Sequence, residues 1–290
     1  MNLSPEALET DVCRALEEDL GSLGDITVAA SLPSGARGEA VILARQVGVL
    51  AGRDVARACF RALDPTVEFG EADLPDGAAV APDARIMTVR GEAAALLSAE
   101  RTALNFLQRM SGIATRTARF VAAVDGCEVE ILDTRKTTPL LRVFEKYAVS
   151  VGGGVNHRVG LFDQILLKEN HFSLSGRPYQ DVVESAVTVA MAPVVAEAQT
   201  VEEGLAAVAG GASIVLLDNF QPGPELQAAV GELRSAAAQA GRDLLVEASG
   251  GVTLATVRAF AECGVDRISV GALTHSVEAL DMSMLTKALQ

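Results

Sequence analysis

The second half of the chain alternates short apolar runs with stretches of helical pattern, and this alternation constrains the fold more than any other feature. Six apolar runs fit β-strands, and the segments between them are long enough for crossover helices. Such alternation predicts parallel strands joined by helices. The six predicted strands are Val129–Leu132, Gln164–Leu167, Pro193–Ala196, Ser213–Leu217, Asp243–Val246 and Arg267–Val270.

Polar or glycine residues follow every run, and their spread favours a barrel over an open sheet. An α/β barrel places its chemistry at the carboxyl ends of several strands. A doubly wound sheet would concentrate ligand-binding residues at one switch point. Six strands, or seven if residues 149–155 add one, are fewer than the eight of a full barrel. We therefore predict an incomplete (β/α) barrel.

The region before Glu128 has a different pattern, a mixture of helices and strands without repeats. A helix is predicted from Ser4-Pro5 to Leu20, another over Arg53–Leu63, and strands over residues 40–47 and 84–89. A long helical stretch, about residues 93–124, carries a predicted break at Ser111-Gly112. We predict an N-terminal α/β domain over residues 1–110 and a barrel domain over 111–274, with residues 275–290 returning to the first.

Positive charge is concentrated in the middle of an acidic chain. The whole sequence has 24 Lys and Arg against 38 Asp and Glu, whereas Arg101–Arg177 has 11 against 7. This distribution indicates a small, highly anionic substrate. Net acidity and the absence of Trp argue against a nucleic-acid partner.

The remaining composition suggests an intracellular enzyme. The chain begins without a basic segment leading into an apolar one and has no long apolar span, so we predict a cytoplasmic protein without a membrane partner. The four cysteines lie far apart without Cys-x-x-Cys spacing, which predicts free thiols in a reducing compartment.

Three motifs supply the candidate anion site. Thr134-Arg135-Lys136 follows a predicted strand, so the fork of Arg and the compact charge of Lys leave the same rim. Residues 152–158, Gly-Gly-Gly-Val-Asn-His-Arg, add backbone N–H groups, His157 and Arg158. Lys168 ends an apolar strand, where it could form a Schiff base or clamp a substrate anion.

Later strand ends add carboxylates and glycine turns. Glu197 and Asp218 could accept hydrogen bonds from a sugar diol, hold Mg²⁺ or stabilise a developing cation. The last two strands of a barrel commonly bind phosphate through backbone N–H groups. The corresponding turns here are Ser249-Gly250-Gly251 and Val270-Gly271-Ala272, the second followed by His275. The spacing of the three histidines does not predict a zinc site.

Together these motifs resemble the quinolinate phosphoribosyltransferase family over nearly the whole chain and in the family's order. The matching segments are residues 99–107, 111–115, 133–137, 152–158, 167–171, 217–220, 247–251 and 270–276. The resemblance implies an N-terminal α/β sandwich domain and an incomplete barrel of the type II phosphoribosyltransferase kind. It also implies that quinolinate and phosphoribosyl pyrophosphate, with Mg²⁺, give nicotinate mononucleotide, pyrophosphate and CO2.

The resemblance implies a role for each candidate residue. Arg135, His157 and Arg158 would hold the quinolinate carboxylates, with Thr134 beside them. Lys136 and Lys168 would neutralise charge between carboxylate and pyrophosphate. Glu197 and Asp218 would contact the ribose hydroxyls or the metal, and the two glycine turns with His275 would receive the 5′-phosphate. Arg101 would enter a neighbouring subunit's site, which implies a homodimer or larger assembly.

One position departs from the family pattern, and three other functions compete with this interpretation. The family often has an acidic residue two positions before Glu197, where this chain has Val195. The alternatives are a related phosphoribosyltransferase with another acceptor, a Schiff-base lyase using Lys168, and a phosphometabolite-binding barrel without catalysis. The combined cationic set disfavours all three.

Overall fold

The computed structural model describes residues 3–289, which form two compact units. The first comprises residues up to Ala118, Val143–Gly153 and residues from Ser276 onward; the second comprises Arg119–Arg142 and Gly154–His275. The predicted limits 1–110 and 111–274 stay predictions. Within residues 3–289, each helix is too short or too polar to cross a membrane.

The first unit is built on a four-stranded antiparallel sheet. Strand β12 lies at one edge and pairs with β1, which pairs with β5, and β3 closes the other edge. The C-terminal strand therefore returns to an N-terminal one. The elements of this part are α1 Pro5–Leu20, α2 Ile26–Ser31, β1 Arg37–Ala44, β2 Gly48–Val49, α3 Arg53–Leu63, β3 Glu68–Phe69, β4 Ala79–Val80, β5 Arg85–Glu92, α4 Ala93–Ala123, α5 Arg142–Val151 and β12 Met282–Ala288.

The predicted break in the long helix is wrong, because α4 runs without interruption from Ala93 to Ala123. Ser111 points its hydroxyl away from the helix, accepting from the Ala51 N–H at 2.9 Å and donating to the Ala51 carbonyl. Gly112 packs directly against the backbone of Glu278. Both residues that suggested a break instead allow close contact with other segments of the same unit.

The second unit contains all six predicted strands, in one parallel sheet. Helices of the same unit join successive strands, with one exception. Between β6 and β7 the chain passes through α5, which belongs almost wholly to the first unit, and then through a loop. The elements are β6 Glu130–Leu132, β7 Leu166–Leu167, α6 Glu169–Ser175, α7 Tyr179–Val189, β8 Val195–Ala198, α8 Val201–Ala209, β9 Ile214–Asp218, α9 Pro224–Gln239, β10 Leu245–Ser249, α10 Val257–Glu262, β11 Arg267–Ser269 and α11 Ala272–His275.

The strand order identifies this sheet as an incomplete barrel. The order is β6-β11-β10-β9-β8-β7, a cyclic arrangement in which the last strand returns beside the first. A doubly wound sheet would instead reverse its order at an internal switch point. The gap lies between β6 and β7, and the strands are largely buried, as expected where helices cover a parallel sheet.

A seventh strand over residues 149–155 is not present. Residues up to Val151 belong to α5, whose Phe144, Ala148 and Val149 share one buried face with helical spacing. Only Val155 pairs with β6, as a single parallel bridge to Leu132. Its N–H donates to Ile131 at 2.8 Å, and its carbonyl accepts from Asp133 at 3.2 Å.

Gly112→Ala should lower the free energy of unfolding by about 2–3 kcal/mol, because the added methyl group would overlap the Glu278 carbonyl oxygen. Gly231→Ala is the matched control, since Gly231 is exposed in α9 with open space around the position of a Cβ atom. It should raise stability by about 0.5–1 kcal/mol. Urea unfolding of both variants checks the contrast, and equal effects would contradict the packing described for Gly112.

Candidate active site

Alternate residues of the barrel strands face one cleft at their carboxyl ends. Leu216 on β9 is in register with both Glu197 on β8 and Glu247 on β10. One level higher, Asp218 is in register with Ser249. Because alternate residues of a strand share a face, these two levels present their side chains to the same space.

A cluster of apolar side chains lies level with and below Glu197 and Glu247. Leu166, Val195, Ile214 and Leu216 are buried together in one cluster. Val195 has no exposed surface and fills the position where the family often has an acidic residue. The carboxylate of β8 is therefore that of Glu197 alone, next to buried apolar side chains.

The cleft has a volume of about 400 Å³ and gathers most of the predicted site residues. Its walls combine four cationic side chains with three carboxylates, so charges of both signs face each other across a small space. The lining residues are Thr134, Arg135, Lys136, His157, Arg158, Leu166, Lys168, Glu197, Leu216, Asp218, Glu247, Ser249 and Ser269.

Buried Asp133 joins the two loops that carry the cationic residues. Its two carboxylate oxygens accept from the Asn156 amide at 2.7 Å and from the His157 N–H at 2.8 Å. Thr134 fixes the other loop, accepting from the Lys136 N–H at 3.0 Å. A fully buried carboxylate that accepts hydrogen bonds in this way orders the cationic wall before any ligand arrives.

Arg135 and Arg158 are arranged to receive an anion. Within the described part of the chain, the Nε atoms of both guanidinium groups are buried and lack a hydrogen-bond partner. Burial, together with the charge of Arg135, lowers the pKa of Arg158. A carboxylate or phosphate between these two like charges would accept from their unused donors and offset the repulsion between them.

The opposite wall carries Lys168, Glu197 and Asp218. Lys168 Nζ lies 2.6 Å from Glu197 Oε2, and its side chain is 48% exposed. Burial raises the pKa of Asp218, and the nearby charge of Glu197 raises it further. Asn219 has a positive backbone φ of 62°, and its side-chain amide donates to Asp218 Oδ2 at 2.8 Å. This wall therefore favours hydroxyl donors or a cation near Asp218.

The predicted phosphate turns lie beside these walls. Gly250 and Gly251 have φ angles of +100° and +61°, which glycine adopts without strain. In the second turn Val270 is buried and α11 begins at Ala272. A Cβ atom on Gly271 would lie 3.1 Å from both the Lys136 side chain and His275, so the second turn packs against the cationic wall.

Gly250→Ala should raise the KM for a 5′-phosphorylated substrate about tenfold or more, because the new methyl group would meet Asn219 Oδ1 and lie 2.8 Å from the Asn219 backbone nitrogen. Gly264→Ala is the control: Gly264 also has a positive φ of 84° but open space around it. It should cost about 1–2 kcal/mol of stability and leave the KM unchanged. An unchanged KM for Gly250→Ala would contradict the assignment of this turn to phosphate binding.

Arg101 is the one predicted residue that lies in the first unit. It is exposed on α4, beside a separate surface cavity of about 270 Å³. His275 is exposed at the end of α11, and His171 accepts from the Lys168 N–H at the start of α6. Among residues 3–289, no cluster of three His, Cys, Asp or Glu side chains could hold a metal by itself.

Family models cover nearly the whole chain. The model described as quinolinate phosphoribosyl transferase, C-terminal domain, matches residues 113–285, and its N-terminal counterpart matches residues 25–111. The chain belongs to the quinolinate phosphoribosyltransferase family.

Individual members of this family resemble the chain along its full length. It is 40% identical to the probable nicotinate-nucleotide pyrophosphorylase [carboxylating] of Bacillus subtilis, over 92% of this chain and 89% of the relative. It is 40% identical to the corresponding Mycobacterium leprae protein, over 96% and 97%. The crystal structure of NadC from Streptococcus pyogenes covers 100% of both chains at 33% identity with a TM-score of 0.91. These matches confirm the family and the fold that the sequence predicts.

The motifs that suggested this family did not lead to Glu247 or Ser269 as site residues. Glu247 is fully buried, and its carboxylate accepts from the Ser269 hydroxyl. The predicted strand ended at Val246, whereas β10 continues to Ser249. The available signal was the two-residue spacing between Glu247 and Ser249, which places both on the cleft face.

Proposed function

We propose that this chain transfers the phosphoribosyl group of phosphoribosyl pyrophosphate to quinolinate and releases pyrophosphate, CO2 and nicotinate mononucleotide. Membership of the family supports this reaction. The observation that carries the proposal is the pair of partly buried guanidinium groups, whose buried Nε atoms have no hydrogen-bond partner among the described residues, across a small cleft from two carboxylates. Such a cleft matches a dianionic acceptor on one side and a sugar that develops positive charge on the other.

On the cationic wall, Arg135 and Arg158 bind the quinolinate carboxylates. Lys136, exposed on the loop that carries Arg135, neutralises the charge of the pyrophosphate that leaves nearby. Fixing the ring nitrogen in line with the anomeric carbon contributes to catalysis without a proton acceptor. Alignment of this kind can lower a barrier by roughly 7–11 kcal/mol in favourable cases.

On the acidic wall, Glu197 and Asp218 bind the ribose hydroxyls and stabilise the positive charge that develops as pyrophosphate departs. Lys168 holds Glu197 in place through its 2.6 Å contact and offers its remaining donors to the substrate. The Ser249–Gly251 and Val270–Ala272 turns bind the 5′-phosphate through backbone N–H groups. The two walls thus hold the donor and acceptor at opposite ends of one reaction axis.

Decarboxylation follows from the product of the transfer. Once ribosylated, the ring nitrogen is cationic and stabilises the electron pair that stays on the neighbouring ring carbon when its carboxylate leaves as CO2. That carbon then takes up a proton from water. The protein need only avoid binding that carboxylate too tightly.

The carboxylates fit Mg²⁺ delivered with phosphoribosyl pyrophosphate. Mg²⁺ commonly binds one or two carboxylates, water and substrate phosphates, and it neutralises the charge of the leaving pyrophosphate when bound. Burial and then the charge of Glu197 raise the pKa of Asp218, and a cation held there would favour its charged form, so Asp218 would be the main protein ligand. Glu197 already binds Lys168, so its share is smaller.

We also propose that the working enzyme is a homodimer or larger, with Arg101 completing the neighbouring subunit's site. Exposure of Arg101 on α4 leaves its guanidinium available for such a contact. The cytoplasmic location stays a prediction from the sequence.

The geometry disfavours a lyase in which Lys168 forms a Schiff base. A lysine forms a Schiff base as a free amine in an apolar pocket. Lys168 is instead half-exposed and ion-paired with Glu197. Borohydride treatment with a keto-phosphate should therefore leave Lys168 unmodified, and covalent trapping would revive the lyase interpretation.

Pyrophosphate release tests the proposed acceptor. The purified protein with phosphoribosyl pyrophosphate and Mg²⁺ should release pyrophosphate with quinolinate and show little release with nicotinate or without an acceptor. Preference for nicotinate would indicate a related phosphoribosyltransferase, and no release with either acceptor would leave only a binding function.

A further inference from the structure

Glu247 is a buried carboxylate at the cleft that the proposed mechanism does not use. It has no exposed surface, although it lies among the lining residues. Ser269 donates to Oε1, while Oε2 has no hydrogen-bond partner within the described part of the chain. Burying a carboxylate is costly unless neighbouring donors compensate. Its position therefore calls for a role that an apolar core residue could not fill.

The neighbour of Glu247 on the cleft side is the imidazole of His157. The His157 Nε2 atom lies 3.5 Å from Glu247 Oε1. The other ring nitrogen, Nδ1, accepts from the Arg158 backbone N–H at 2.7 Å. Since Nδ1 is an acceptor, the ring carries its proton on Nε2, facing the carboxylate. Both ring nitrogens are thus directed at protein groups.

His157 in turn fixes the backbone that carries Arg158. One nitrogen of the Arg158 guanidinium donates to the Gln164 carbonyl at 3.1 Å, while its buried Nε has no hydrogen-bond partner among the described residues. Burial and the charge of Arg135 both disfavour this cation, as its lowered pKa indicates. A guanidinium in such surroundings keeps a defined direction only if the backbone beneath it is held.

We propose that Glu247 is a positioning residue, which acts through His157 on the backbone of Arg158 and so directs that guanidinium at the anionic acceptor. This inference rests on the proposed function and adds a buried support to its acceptor site. Ser269 fixes the carboxylate, the carboxylate orients the imidazole, and the imidazole holds the Arg158 N–H. His157 consequently supports the contact made by Arg158, in addition to the carboxylate contact that the family resemblance implies for it.

A double-mutant cycle on the full chain tests this order of action, with quinolinate affinity measured by calorimetry. Glu247→Ala should weaken quinolinate binding about tenfold. His157→Ala should weaken it at least as much, and the double variant should bind no more weakly than His157→Ala alone. Losses that simply multiply would overturn the proposal, because they would mean that Glu247 acts independently of His157.

Glu247→Gln tests whether the hydrogen bonds of this side chain are sufficient without its charge. It also shows whether the loss in Glu247→Ala comes from a damaged fold. Its amide oxygen, placed where Oε1 lies, can accept both the imidazole N–H and the Ser269 hydroxyl. Binding should therefore stay within about threefold of wild type. If Gln were as damaging as Ala, the proposed hydrogen-bond role would be overturned.

Glu39→Ala is the control for a purely structural effect. Glu39 is also largely buried, on β1 of the first unit, and pairs with Arg90 and Lys287. It should lower the melting temperature and leave quinolinate affinity unchanged; an equal loss of affinity would overturn the proposal. If wild type itself does not bind quinolinate, the proposed function fails and this inference fails with it. If wild type binds and Glu247→Ala binds equally well, only the inference fails.

Discussion

Arg135→Ala should lower kcat/KM for quinolinate by about 100- to 1000-fold, chiefly through a higher KM, while the fold remains intact. The Arg135 side chain lines the cleft, and its buried Nε is unpartnered within the described residues, so its removal takes away donors that serve a ligand more than they serve the fold. The loss corresponds to a charge-assisted contact in a desolvated site. Steady-state kinetics with varied quinolinate, together with a thermal unfolding curve, checks both parts.

Two further variants define what Arg135 contributes. Arg135→Lys keeps the charge but loses the planar fork, and it should recover only part of the lost affinity. Arg258→Ala removes an arginine that is 49% exposed and pairs with Glu262 on α10, so it should leave quinolinate kinetics unchanged. An unchanged KM in Arg135→Ala would contradict the assignment of this residue to the acceptor.

Asp218→Asn should lower kcat by about 100- to 1000-fold and leave the KM for quinolinate nearly unchanged. The carboxylate lies on the wall opposite the guanidinium groups, where the sugar develops positive charge. An amide of the same shape keeps the packing but supplies no charge. Single-turnover rates at saturating substrate check this, and Asp243→Asn, at an exposed position, is the surface control. An unaltered kcat would exclude charge stabilisation by Asp218.

The same residue predicts the acid limb of the pH profile. Burial raises the pKa of Asp218, so its carboxylate takes up a proton at a higher pH than an ordinary aspartate. If the charged form is required, kcat falls as the pH drops through this raised pKa, and Asp218→Asn lacks that limb. Bound Mg²⁺ should shift the limb to lower pH, because a cation favours the charged carboxylate.

The barrel could be predicted from the sequence because its strands are continuous apolar runs. The run 213–217, for example, cannot be a solvated strand, and its polar successor Asp218 marks the carboxyl end. The break proposed at Ser111-Gly112 failed for a physical reason. Local preferences there favour a break, but contacts with the distant residues Ala51 and Glu278 decide the structure.

The sequence predicts the site residues that directly follow apolar strands, but it does not predict which of them contact one another. Arg135, Lys168 and Asp218 were identified from their positions after apolar runs. The contact between Lys168 and Glu197 joins residues 29 positions apart, and only the register of β8 against its neighbours brings Glu197 to the cleft face. Glu247 also follows an apolar run directly, but it was not assigned to the site because the sequence does not show that it contacts Ser269 and His157.

The most direct test of this mechanism uses quinolinate that is isotopically labelled in the carboxylate next to the ring nitrogen. With phosphoribosyl pyrophosphate and Mg²⁺, the protein should release labelled CO2, pyrophosphate and nicotinate mononucleotide in equal amounts, and no CO2 without the phosphoribosyl donor. CO2 release without the donor, or pyrophosphate release with the label retained in the nucleotide, would contradict transfer to the ring nitrogen followed by loss of that carboxylate.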